Sequence, residues 1–322
     1  SLFDDLRIVK TRQTNQGEAA ARNAALDVAR GHYVAFLDAD DLYLPNALTD
    51  MACYLDTHPE ADALFSDGYF CDEQGRPLMC LSEHRPGPYT GHILEPLVLS
   101  ASVISGIICT MTRRATIERV GVRFDPALVI GPDWDFLIHL ACYAQFGYLD
   151  KLTCMYRIHQ TNVTRTTGQE KRRHDLVKGR LKIMRSDWFG ELSMPTRREF
   201  FYHLLVSLLS GEPDRQSEIL QSTPFRSLLD FQRAQILRWV ATSYLLQRSE
   251  LEFARSCLDQ ALVAWPGDHR SRVLLRLMAL GPPACAIALY AWRFLHSIQT
   301  RLHSIGRRRA EPVPVGLDAP LA

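Results

Sequence analysis

No C-x-x-C pair occurs among the eight cysteines, and most of them lie inside apolar runs such as residues 107–111. That pattern argues against a zinc site or a disulfide framework and reads as small buried hydrophobes in a reducing compartment. No uninterrupted apolar run reaches about 18 residues, so no membrane-spanning helix is expected. Residues 282–295 come nearest and are broken by Arg293. The first residues, Ser1-Leu2-Phe3-Asp4-Asp5, have neither the basic nor the apolar region of a signal peptide. Charge of one sign is not in excess either: 37 basic residues face 36 acidic ones, a net charge of +1. No global field draws in DNA or RNA, and no nucleic-acid partner is expected. Lysine is scarce, at positions 10, 151, 171, 178 and 182 alone, which reads as coding bias. The expected location is the cytoplasm.

What is present fits a globular chain. Hydrophobic residues make up 47% and charged residues 23% of 322, ordinary values, and the length accommodates two domains. Residues 6–10 alternate like a short strand. Residues 18–30 are Ala-rich and helical, with Gly31 as a stop. Residues 33–37 (Tyr-Val-Ala-Phe-Leu) are continuously apolar, as in a strand buried on both faces. Pro45 opens a helix over 46–58. Further strands are expected over 61–65, 107–112 and 152–158, with helices over 116–120 and 134–146. Strands alternating with helices predict an α/β domain with a mainly parallel sheet. After residue 166 only helical periodicity remains, over 174–187, 196–209, 231–247, 250–264 and 269–280.

The apolar strand 33–37 runs straight into Asp38-Ala39-Asp40-Asp41. Ligands of open α/β sheets sit outside the carboxyl ends of the strands. Three carboxylates within four residues repel one another unless a cation neutralises them, and hard oxygen ligands there suit Mg²⁺ or Mn²⁺ with a substrate phosphate. A helix cap by Asp40 or Asp41 beside solvated neighbours explains the same residues equally well.

The surrounding order of motifs is more specific. Asn15-Gln16-Gly17, Ala21-Arg22-Asn23, Gly31-His32-Tyr33, Phe36-Leu37-Asp38-Ala39-Asp40-Asp41 and Pro45 are followed by Gly121 with Phe124-Asp125, by Gly131-Pro132-Asp133-Trp134-Asp135-Phe136, and by Tyr156-Arg157-Ile158-His159. Together, over about residues 6–165, they resemble the family 2 glycosyltransferases of the GT-A fold. The resemblance implies transfer of a sugar, of hexosyl type, from a nucleotide-sugar donor (UDP- or dTDP-linked) to a glycan or lipid-linked acceptor in bacterial polysaccharide biosynthesis, with inversion. It implies that Asp133 is the general base and that Asp38, Arg22, Asn15 and Gly17 line the donor pocket. It implies that Asp40, with His159 near the diphosphate, holds Mn²⁺ or Mg²⁺.

Each of these residues also has a purely structural reading: a turn for Asn15, a surface ion pair for Arg22, an N-cap for Asp133, a structural hydrogen bond for His159. Pro132 stands where the family usually has glutamate; Asp133 itself is retained, and Asp135 could substitute for the missing carboxylate. Trp134 either stacks on a sugar or packs in the core. The family's first two βα units have no counterpart before Leu6, so the fold expected is an incomplete GT-A-like sheet, the N-terminal part missing, followed by an all-helical region.

The boundaries expected are 1–165 for the transferase-like domain, 166–300 for the helices and 301–322 for a disordered tail. Ala254, Leu258, Ala261 and Pro266, with Tyr244, resemble one tetratricopeptide helix pair. The apolar stretch 282–295, followed by Arg301 and Arg307–Arg309, suits either a buried helix or peripheral contact with the inner face of the cell membrane. The competing class is a non-catalytic helical interaction protein carrying a transferase remnant.

Overall fold

The structure, a computed structural model, describes residue 5 and residues 7–208, 213–247 and 251–279. The stretch 282–295 and the tail 301–322 lie outside the described residues. The chain divides into two compact units, Ser1–Leu208 and Leu209–Ala322.

The first unit contains, in order, α1 (Glu18–Val28), β1 (Tyr33–Ala35), β2 (Leu42–Tyr43), α2 (Ala47–Thr57), β3 (Ala63–Cys71), β4 (Pro77–Cys80), α3 (Leu94–Leu99), β5 (Thr110–Arg113), α4 (Arg114–Val120), α5 (Pro132–Ala141), β6 (Phe146–Arg157), α6 (Val163–Thr166), α7 (Gln169–Met184) and α8 (Met194–Val206). The strand order is β1-β5-β3-β6-β2, with β4 added to β3. The α/β class and the helical C-terminal region stand as expected, but the sheet is mixed rather than mainly parallel. Only β3 and β6 pair in parallel; the other pairings are antiparallel. A parallel neighbour requires a crossover connection, whereas β3 turns directly into β4 and the chain then returns through a long loop to place β5 between β1 and β3. β1, β3 and β6 still point the same way, which preserves one common carboxyl end.

Within the sheet, α2 covers one face through Met51 and Leu55 against Leu64 and Met111. Opposite α1, Phe36, Phe124 and Phe136 form an aromatic cluster, Phe124 stacked on Phe136 at 4.3 Å and Phe36 edge-on to Phe124 at 5.2 Å. At Gly68 on β3 an added Cβ would meet the Cys154 Sγ of β6 at 2.5 Å. Buried Ser66 on β3 shares a 2.6 Å hydrogen bond with Thr153 on β6.

Several elements differ from their predicted extents. Leu6 lies outside the described residues, and residues 7–10 form no strand, with Ile8 and Val9 exposed. An alternating pentapeptide with no ladder partner has nothing to hold it extended. β1 ends at Ala35 with only Val34 buried, since the chain must leave the sheet to reach the acidic turn. β3 runs through Ser66-Asp67-Gly68 because β6 pairs along its whole length. α5 stops at Ala141, and Phe146, expected to end the helix, begins β6. α4 closes at Gly121 in the left-handed region, as predicted.

The second unit holds α9 (Pro213–Gln221), α10 (Thr223–Arg226), α11 (Asp230–Gln247), α12 (Leu251–Ala264) and α13 (His269–Ala279). Ala254, Leu258 and Ala261 are fully buried, and Tyr244 meets Phe253 edge-on at 5.0 Å. Among the described residues no helix is long and apolar enough to cross a membrane.

Candidate active site

After β1, at one end of the strand order, the chain crosses to β2 at the other, so residues 36–41 run over the common carboxyl end of the sheet. This crossing positions the acids. Arg157, the last residue of β6, fixes the turn from below: its backbone N–H donates to Asp41 at 2.8 Å, and its Nε donates to the Asp40 carbonyl at 2.7 Å. Each carboxylate then has its own protein partner. Arg22 on α1 donates to both Asp38 oxygens at 2.8 Å. His159 Nε2 lies 2.8 Å from Asp40 Oδ2. The crowding of three acids is thus relieved by Arg22, His159 and a backbone N–H within the protein itself. Burial, with Asp40 and Asp38 beside it, raises the Asp41 carboxyl to about 6.

The opposite wall is the start of α5. Gly131 adopts φ 80°, Pro132 occupies the first turn, and Asp133 faces the cavity while accepting the Trp134 N–H at 2.9 Å. A proline whose missing N–H needs no partner suits that position, so α5 begins cleanly without the glutamate. Leading up to it, buried Asp175 on α7 accepts the N–H groups of Val129 and Ile130, both at 3.1 Å. Burial pushes the Asp175 carboxyl up, but Lys171 and these two N–H donors outweigh it and leave it below the ordinary range.

Between the walls lies a cavity of about 290 Å³. Arg22, Asp38, Asp40, Asp41 and Asp133 line it, joined by Glu18, Tyr156 and Asn162. Glu18 has no sequence signal beyond being the first residue of α1. Burial raises its pKa, Arg22 lowers it, and Asp133, Asp38 and Asp40 raise it again, for a net upward shift. Asp175 sits in a charged helix whose pattern carries no hint of a capping role at a site.

Other predicted residues stand elsewhere. Asn15 makes a turn, its Oδ1 accepting the Gly17 N–H at 3.1 Å, and Gly17 at φ 87° caps α1; neither lines the cavity. Asn23 pairs with both backbone groups of Phe124 at 2.9 Å, which ties α1 to the segment before the site. Asp135 does not supply the carboxylate missing at Pro132: it is buried away from the cavity, held by Lys182 at 2.8 Å. Trp134 packs in the core, donating Nε1–H to the Leu97 carbonyl at 2.7 Å, with the Arg180 guanidinium 5.8 Å from its ring. It is not a sugar platform.

Among the described residues no three His, Cys, Asp or Glu side chains converge as a metal site; Asp40 and His159 converge as a pair. Mg²⁺ keeps several waters and commonly needs only one or two protein ligands beside substrate phosphates. His159 Nε2 is engaged with Asp40 at 2.8 Å and lies 3.1 Å from the Asn162 amide, so an ion held by the pair would take the place of that hydrogen bond, with Nδ1–H turned to Thr161.

The fold and cleft define an α/β domain that presents carboxylates from two walls over the carboxyl end of its sheet. Residues 2–117 match the family model of Glycosyl transferase family 2, and over that stretch the chain is similar to that family. The match includes α1 and the acidic turn and stops short of Asp133 and His159. Among curated relatives, an uncharacterized glycosyltransferase of Methanocaldococcus jannaschii is 31% identical over 156 residues, 48% of this chain and 52% of the relative. Succinoglycan biosynthesis protein ExoO of Rhizobium meliloti is 30% identical over 157 residues, 47% of this chain and 45% of the relative. The chain spans about half the length of these relatives. The crystal structure of S. aureus TarS 1-349 in complex with UDP-GlcNAc aligns over 80% of this chain and 72% of that one, with 16% identity and a TM-score of 0.47.

Proposed function

We propose that the chain transfers a sugar from a UDP- or dTDP-linked donor to a hydroxyl of a glycan or lipid-linked acceptor, with inversion. One observation carries this reading: Asp133 and the acidic turn at Asp38–Asp41, far apart in sequence, line the same cavity. Asp133 takes the proton of the acceptor hydroxyl as that oxygen attacks the anomeric carbon; the bond from that carbon to the diphosphate oxygen breaks, and the nucleoside diphosphate leaves with the electron pair. Arg22 holds Asp38 in place beside the donor, and Glu18 shapes the same side of the cavity. Asp40 and His159 are the residues that would hold Mg²⁺ or Mn²⁺, which when bound neutralises charge on the leaving diphosphate. The role that its name gives the rhizobial relative, succinoglycan biosynthesis, supports a polysaccharide precursor as acceptor. Such an acceptor suits work at the inner face of the cell membrane.

Calorimetric titration with UDP and dTDP, each with and without Mn²⁺, tests the donor half of the reading. The expected result is metal-dependent binding that Asp40→Ala removes. Binding of neither nucleotide under any condition would leave the helical interaction protein as the better description.

A further inference from the structure

Gly106 has no need within the fold to be glycine. It precedes a short 3₁₀ turn (Ile107–Cys109), and its φ of 165° is extended backbone that any residue adopts. An added Cβ would meet only Ile108 Cγ2 at 3.7 Å and Tyr156 Cδ2 at 3.9 Å, both ordinary van der Waals contacts. Gly68 and Gly147 differ: there an added Cβ would fall 2.5 Å from Cys154 and from the Tyr54 ring. At those two positions the protein itself leaves no room. Gly106 lines the cavity between the two walls, and so do Ile108 and Tyr156. A methyl group at position 106 would therefore stand in the cavity, beside the Tyr156 ring.

Tyr156 is the one aromatic side chain among the described residues lining that cavity. Near the end of β6 it pairs in register with Phe70 of β3, whose ring meets it edge-on at 5.6 Å. That contact fixes the plane of the tyrosine. Thr164, across the cavity mouth from Gly106 in the chain, is within hydrogen-bonding reach of the phenol. Burial, then Asp41 and Asp133, push the phenol up to about 12, so it stays protonated at neutral pH and feels both walls at once. Phe124, Phe136 and Trp134 pack in the core instead.

We propose that Tyr156 and Gly106 form the seat of the transferred sugar, with the apolar face of the donor's hexose on the Tyr156 ring and its edge in the space that a side chain at 106 would take. The inference rests on the transferase reading of the cavity. On that reading the sugar is bonded to a diphosphate at the acidic turn and is attacked from the Asp133 side, so it lies between the walls, where Tyr156 stands. A hexose carries C–H groups on its face and hydroxyls around its rim. The ring of Tyr156, continued by Ile107 and Ile108, suits the first, and the carboxylates of the walls accept from the second.

Calorimetry of the full chain with Mn²⁺ provides the test, comparing UDP with UDP-glucose and UDP-N-acetylglucosamine, and dTDP with dTDP-glucose. Gly106→Ala should melt at the wild-type temperature or slightly above, because alanine fits this backbone and restricts the unfolded chain. It should weaken binding of the sugar nucleotide by about tenfold or more while the parent nucleotide changes by less than about twofold. Tyr156→Leu should weaken the sugar nucleotide by about tenfold, and Tyr156→Phe, which keeps the ring face, by less than about threefold. The inference is overturned if Gly106→Ala binds the sugar nucleotide as tightly as wild type, or if it weakens sugar nucleotide and parent nucleotide equally. It is also overturned if the wild-type chain binds UDP or dTDP but none of the three sugar nucleotides, or if Gly106→Ala raises only the KM for acceptor. Those outcomes leave the transferase reading standing, whereas a wild-type chain that binds neither parent nucleotide removes that reading and this inference together.

Discussion

The two walls of the cavity are held in opposite ways. The acidic wall is tied to the sheet: Arg157 closes on it from the end of β6 through a backbone carbonyl and a carboxylate, and His159 follows two residues later. The wall carrying Asp133 leans on α7, where Asp175 takes two backbone N–H groups and Lys182 takes Asp135. The acidic turn thus rests on residues of the motif series, Arg22, Arg157 and His159, and the Asp133 wall rests on a helix beyond the recognisable motifs. α7 and α8 lie within the first unit; α8 also joins α3 through Glu95, which accepts from Ser193 and Thr196 at 2.7 Å.

The sharpest way to separate the walls is chemical. Asp133→Asn keeps the shape and the bond to the Trp134 N–H but removes the base, so turnover should fall by roughly 100- to 10,000-fold while nucleotide affinity measured by calorimetry is unchanged. Equal turnover in the variant would discard Asp133 as the base and with it the two-wall picture.

Next in size is the support behind Asp133. Lys182→Met leaves the Asp135 carboxylate buried without its cation, and removing one partner of a buried pair costs about 3–5 kcal/mol. Lys182 itself is partly exposed, which sets the expectation near the lower end, about 3 kcal/mol in denaturant unfolding. Asp135→Leu with Lys182→Met should recover most of that loss; failure to recover would show that packing, not charge, fixes α5.

Asp175 gives a smaller, pH-dependent effect. Its native carboxyl titrates below the ordinary 3.8, so the unfolded chain binds its proton first on acidification. Its contribution is therefore complete above that ordinary value and lost as pH falls through it towards the native one. Asp175→Ala leaves the Val129 and Ile130 N–H groups without an acceptor and should cost about 1–3 kcal/mol at pH 7. The gap to wild type in thermal melts should narrow below pH 4. A gap constant with pH would mean that the carboxylate charge plays no part.

How much of this was legible follows the same division. The turn from Asp38 to Asp41 is readable because a continuous apolar run must end where a buried strand ends, and His159 is readable from its place after β6. Asp133 is readable as a helix start, yet that it rather than Asp135 faces the cavity depends on Lys182, which lies on another helix. Asp175 and Glu18 carry no signal because their roles arise only once α7 and α1 are packed. The mixed sheet was equally hidden: periodicity locates β5 but contains nothing of the loop that delivers it antiparallel between β1 and β3. Trp134 reads alike as platform or core, and only its bond to the Leu97 carbonyl separates them.

The smallest expected effect concerns the donor wall itself. Asn15 is the first residue of the motif series, but in the folded chain its side chain closes a turn onto the Gly17 N–H and stays out of the cavity. Gly17 at φ 87° supplies the N-cap of α1, and α1 in turn carries Arg22 to Asp38. Asn15 therefore reaches the acidic wall only through the start of that helix. Asn15→Ala removes one exposed side chain-to-backbone hydrogen bond, worth about 0.5–1.5 kcal/mol at most, and the helix remains anchored by Asn23 on Phe124. Nucleotide affinity should change by less than about twofold, where Arg22→Ala, which strips Asp38 of both its bonds, should change it by tenfold or more. If Asn15→Ala and Arg22→Ala weaken binding equally, the donor reaches past the cavity to the turn before α1, and the acidic wall extends further than its lining residues indicate.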